Sequence, residues 1–146
     1  MRRCILLTGL IWISLSALAT VEVRSNTTGF RVVVNPANPT ASVERRFLVD
    51  AFLKKTTRWP HDEQIRPCDL DPESATRRRF SDDVLKRSVA AVKSYWQQMV
   101  FSGQNVPPPE FDSDEQVIQF VLRNPGAVGY VSASANIEGA KVLSLR

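Results

Sequence analysis

Asn124-Pro125-Gly126-Ala127-Val128-Gly129-Tyr130-Val131 changes its periodicity part-way through. The Asn-Pro-Gly triplet ends whatever precedes it, and the apolar run that follows reads as a buried strand. Upstream, Ser113-Asp114-Glu115-Gln116 places Ser and Gln three apart, the pattern of a capping box, and Val117, Phe120 and Val121 continue one helical face. A helix running directly into a strand is the unit from which an α/β sheet is built.

The same alternation extends outward in both directions. Toward the C-terminus, Lys141-Val142-Leu143-Ser144-Leu145 reads as a last strand. Toward the N-terminus, Phe30-Arg31-Val32-Val33-Val34 reads as the first core strand, closed by Asn35-Pro36-Ala37-Asn38-Pro39. Between them, Ser42 is an N-cap candidate for a helix burying Val43, Phe47, Leu48, Ala51 and Phe52, with Lys54 and Lys55 at its negative end. Trp59-Pro60-His61-Asp62 reads as a turn. Gln64-Ile65-Arg66-Pro67-Cys68 reads as a short strand that Pro67 confines to an edge.

Two further helices are expected. One opens at Asp71-Pro72-Glu73-Ser74, where Pro and acidic residues suit a first turn, and runs through Phe80 toward Leu85. The other starts at Ser88, carries Val89, Val92, Trp96, Met99 and Val100 on one face, and stops at Gly103. Pro107-Pro108-Pro109 must be extended.

Length and composition bound the function. A chain of 146 residues, 43% apolar and 23% charged, has the make-up of one globular domain. Met1-Arg2-Arg3, an apolar run to Leu18 and an Ala17-Leu18-Ala19 end have the three-part pattern of a secretory signal peptide, too short to span a bilayer. The expected organisation is therefore a signal peptide over 1–19, a flexible leader over 20–30 and an α/β domain over 31–146, periplasmic or secreted after cleavage near Ala19. Without Arg2 and Arg3 the net charge falls from +4 to about +2, which argues against a general nucleic-acid surface. Loss of Cys4 with the leader leaves Cys68 alone, so stability must come from a packed core rather than an internal disulfide.

Several segments in order resemble the phosphate-type periplasmic binding proteins of ABC importers. They are Val32-Val33-Val34-Asn35-Pro36, Phe52-Leu53-Lys54-Lys55-Thr56-Thr57-Arg58-Trp59 and Asn124 to Val131, with the Tyr95-Trp96 helix and Phe101-Ser102-Gly103 between them. In that family two α/β lobes close over an oxyanion. The resemblance implies a single three-layer lobe, similar to one domain of a type 2 periplasmic binding protein, because the chain holds roughly half the residues two lobes require. It also implies phosphate or a similar oxyanion as ligand, with a second lobe, a dimer mate or a membrane transport or sensor component as partner.

The family holds its anion with an Arg and a Gly-Ser-Gly-Thr loop at a helix N-terminus, where amides and the helix dipole favour negative charge. The matching stretch is Asp71-Pro72-Glu73-Ser74-Ala75-Thr76. Ser74 and Thr76 keep the two hydroxyls, and Arg77 and Arg78 follow in the same turn, so these four are the candidate ligand-binding residues. Glu73 and Ala75 replace the glycines, and Asp69, Asp71 and Glu73 stand near where the family has its Arg, where they would repel phosphate unless protonated or paired. The alternative is a one-lobed relative that has lost the small ligand and serves as a protein interaction module.

Catalysis and cofactors find little support. A nucleophile needs a positioned base, and the chain has one His, His61, in a turn with Asp62 and Glu63 whose side chains cannot converge on one centre. The acids at Asp82-Asp83 and Asp112 to Glu115 sit at helix starts, where they complement the dipole. No enzyme activity, metal or cofactor is expected. Trp59, Tyr95, Trp96 and Phe101 are expected to fill the core.

Overall fold

The computed structural model describes residues 29–146, so the signal peptide and most of the leader lie outside the described residues. β1 (Phe30–Val34) and β6 (Ala127–Ser132) form the antiparallel centre of a four-stranded mixed sheet. β3 (Arg66–Pro67) pairs parallel with β6 at one edge, and β7 (Lys141–Val142) pairs antiparallel with β1 at the other. Pro67 thus occupies the edge strand that its missing N–H demands.

Register decides the layers. Val33 lies opposite Gly129, while Val32 and Val34 lie opposite Tyr130 and Val128. Side chains alternate across a strand, so the two sets face opposite sides of the sheet. On the Gly129 side lies α4 (Asp114–Arg123), which buries Val117, Ile118 and Val121. A Cβ added to Gly129 would come within 2.7 Å of both Cys68 Sγ and Val117 Cγ1, so the strand has no room for a side chain there. On the Tyr130 side lie α1 (Arg45–Phe52) and α2 (Ala75–Phe80), the latter continued by a π-turn over Ser81–Leu85. Phe80 stacks on Tyr130 with centroids 3.8 Å apart, and Phe52 packs on both rings. The result is helix, sheet and helix in three layers around one core.

Gly126 serves a different need from Gly129. A Cβ there would stand 1.9 Å from the Gln64 carbonyl, and the Gly126 carbonyl accepts both the Arg66 amide and Trp59 Nε1. The Asn-Pro-Gly turn is therefore the clamp that brings the 59–66 hairpin against the start of β6.

Several helix boundaries follow the sequence reading. The Ser88 and Ser113 hydroxyls accept the Ala91 and Gln116 amides, capping α3 (Val89–Phe101) and α4. Gly103, at φ 68°, closes α3 in the left-handed region glycine favours. The return half of the capping box differs, since Gln116 accepts from the Asp112 amide and not from Ser113.

Other boundaries move. Ser42 is not an N-cap: Ser42–Val43 is strand β2, paired in parallel with β8 (Ser144–Leu145), and α1 opens at Arg45 behind Glu44 with no side-chain cap. The single C-terminal strand expected over 141–145 is two, because Leu143 turns inward between the sheets. The helix expected from Asp71 begins at Ala75, since the Asp71 carboxylate takes the Glu73 amide and holds an Asx turn ahead of Ser74. A third small sheet, β4 (Asp69–Leu70) parallel to β5 (Glu110–Phe111), has no counterpart in the sequence reading.

Candidate functional site

The four candidate residues divide once folded. Ser74 caps α2, its hydroxyl accepting the Arg77 amide at 3.3 Å. Thr76 is half-buried, and its hydroxyl makes no hydrogen bond among the described residues. Arg78 is exposed and bonds the Glu73 carbonyl at 2.7 Å. Arg79, the next in the run, pairs with Asp83 at 3.1 Å on the surface, as a solvated helix face would.

Arg77 turns the other way, into the protein. Its Nη1 donates to the Leu70 carbonyl at 2.8 Å and lies 2.5 Å from Asp69 Oδ1, both side chains only 4% exposed. β4 and β5 set Asp69 and Glu110 side by side, and Glu110 Oε1 approaches the same Nη1 at 3.6 Å. From β6, the Tyr130 hydroxyl donates to Asp69 Oδ1. The Leu70 amide reaches Asp69 Oδ1 at 3.2 Å and the Tyr130 oxygen at 3.4 Å. Three elements, β4, α2 and β6, thus meet on one buried carboxylate, with Glu110 of β5 beside the arginine.

Two opposed effects set the charge of this carboxylate. Burial raises Asp69, and although the Arg77 charge and the Tyr130 and Leu70 hydrogen bonds pull it down, it still stands at about 6. Burial, reinforced by Asp69, also raises the Tyr130 hydroxyl, which therefore stays a donor. At neutral pH the cluster is an ion pair, and Arg77 has its charge answered from within the fold.

The Asp69–Tyr130 half was missed in the sequence because the two residues stand 61 apart and Tyr130 looked like strand filler. The one signal was an Asp inside an otherwise apolar stretch, Cys68-Asp69-Leu70, since a buried acid demands a partner. The aromatics also separate. Trp59 and Trp96 are core as expected, Tyr95 is half-buried with its hydroxyl on the Leu53 carbonyl, and Phe101 is not core at all, being 95% exposed. Among the described residues no group of three His, Cys, Asp or Glu side chains is placed to hold a metal ion, and no helix is long and apolar enough to cross a membrane.

Solved structures with a similar fold include proteins of phosphate ABC transport. A putative phosphate ABC transporter substrate-binding protein with bound phosphate from Clostridium perfringens superposes with a TM-score of 0.64 at 18% identity, over 80% of this chain and 44% of that one. The chain has the fold of one lobe of such a binding protein. PstS from Borrelia burgdorferi gives 0.61 at 15% identity over 81% and 47%, and an ABC-type phosphate transport receptor from Vibrio cholerae 0.58 at 20% over 80% and 46%. The lobe therefore spans less than half the length of the structures it matches. No protein-family model matches the chain, and no curated protein is matched by it.

Against the resemblance drawn from sequence, the lobe architecture stands. At the loop, the Ser74 hydroxyl oxygen accepts from its own helix, and Asp69, one of the three acids near where the resemblance would place an Arg, pairs with Arg77. The Ala75 and Thr76 amides are the donors at this helix start without a protein acceptor among the described residues.

Proposed function

We propose that the chain is an exported binding-protein lobe that recognises another protein and does not capture free phosphate by itself. One observation carries this reading: the buried Arg77 is paired at 2.5 Å with Asp69, so the cation an oxyanion would need is already neutralised. An incoming phosphate would have to displace a buried carboxylate held by three donors. The lobe acts by binding, without catalysis or a cofactor, and residues 1–19 serve as the signal peptide, cleaved near Ala19.

A second reading, oxyanion uptake or sensing by a lobe completed by another chain, is favoured by the Ala75 and Thr76 amides and the Thr76 hydroxyl, none of which has a hydrogen-bond partner among the described residues. Calorimetric titration of inorganic phosphate into the mature chain separates the two. The expected result is no heat at millimolar phosphate. A saturable signal that Ser74→Ala and Thr76→Ala abolish would overturn protein recognition as the main role and establish the second reading.

A further inference from the structure

α3 carries a stripe that the fold buries only at Trp96 and otherwise leaves on the surface. Val89, Lys93, Trp96, Gln97 and Val100 recur at helical spacing and line one wall of a groove of about 660 Å³. Pro107, Pro108, Arg77 and Glu110 also line it. At its end Val100 is 52% and Phe101 95% exposed, with Val106 exposed close by in sequence. An aromatic held almost entirely in water, next to an apolar groove, is an unsatisfied knob beside an unsatisfied hole.

The charges on this surface point to the occupant. Lys93 has no ion pair among the described residues, and the half-exposed Glu110 carboxylate has only the Arg77 contact at 3.6 Å. A patch with one free cation, one half-free anion, one knob and one hole is complementary to itself under two-fold rotation. If the axis passes by Gln97, two antiparallel α3 helices set position 101 of one against position 93 of the other. Each Phe101 ring then covers the methylene stem of the opposing Lys93, whose ammonium gains the ring face and Glu110.

We infer that the groove between α3 and the Pro107–Pro108 segment is a self-association surface on which a second copy of this chain docks, α3 antiparallel to α3, with Phe101 seated in the opposing groove. The inference takes only the class of partner from the protein-recognition reading. Heat with phosphate would sink that reading and leave this interface to its own test.

Sedimentation equilibrium of the mature chain between about 1 µM and about 1 mM supplies that test. The expected result is a reversible dimer whose dissociation constant rises at least about tenfold in Phe101→Glu. Lys93→Glu should weaken it, and the double variant Lys93→Glu with Glu110→Lys should recover part of the loss. Because Phe101 is exposed, Phe101→Glu should keep the wild-type circular dichroism and urea midpoint. Gln97→Cys should form an interchain disulfide under mild oxidation, whereas Glu138→Cys, outside the groove, should not. A chain that stays monomeric near 1 mM and gives no Gln97→Cys dimer overturns the inference. So does a dimer that Phe101→Glu leaves intact, because its interface would lie elsewhere.

Discussion

α3 and α4 are helices of 13 and 10 residues, each opened by a serine cap and each amphipathic in sequence, yet the fold uses them differently. α4 lays Val117, Ile118 and Val121 on the Gly129 side of the sheet, and Asp114 ties its first turn to the Ser132 amide and hydroxyl at 3.1 and 2.6 Å. α3 buries only Val92 and Trp96 and leaves Val100 and Phe101 in water. An apolar stripe is thus a demand for a partner, and the sequence does not say whether the partner is the sheet or another molecule. The fold answers for α4 and half-answers for α3.

The comparison breaks most sharply with a charge placed on each helix. Val121→Asp buries an unpaired carboxylate in the core and should cost more than about 4 kcal/mol, enough to unfold the domain or nearly so. Val100→Asp should change stability by less than about 0.5 kcal/mol in the monomer. Urea midpoints measured side by side decide it. Equal losses would mean that α3 is packed as tightly as α4.

Next in size is the pH response of the cluster where the α3 groove meets β4. Asp69 has a folded value near 6, above its ordinary 3.8, so between these values the folded state binds more protons than the unfolded one. Its contribution therefore makes stability fall as pH rises from about 4 to about 6, by up to about 3 kcal/mol. Asp69→Asn should flatten that part of the curve. A wild-type profile that rises through the window on account of Asp69 would mean that the pairing with Arg77 outweighs burial.

The caps sharpen the contrast at the smallest scale. Ser113→Ala and Ser88→Ala should each cost about 1 kcal/mol. The loss should be larger at Ser113, whose helix end is also held by Asp114 on Ser132. Hydrogen exchange of the Gln116 and Ala91 amides, which these hydroxyls accept, reads the two ends separately.

What was legible in the sequence is what local chemistry decides. Ser88, Ser113 and Gly103 announce helix ends because a hydroxyl or a left-handed residue acts within three positions. Pro67 announces an edge because a missing donor is a property of one residue. Ser42 misled because its partner is Ser144, 102 residues away, and parallel pairing with β8 overrode a good capping residue. The candidate site was legible in part for the same reason. Ser74 was found at a helix start, but the sequence offered Arg77 and Arg78 as equals, with Arg79 next in the run. Only the meeting of β4, β5, α2 and β6 draws Arg77 inward and leaves the other two outside.

Cys68 lies sealed against the face of β6 where Gly129 has no side chain, fully buried, with burial and the neighbouring Asp69 raising its thiol well above the usual range. A thiol so placed reacts only from conformations in which the sheet edge has opened. Its modification rate in native buffer is therefore a clock built into the lobe. It times how often β3 and the β4 segment part from β6, and whatever docks on the outside and steadies that edge will slow the clock without touching the sulfur.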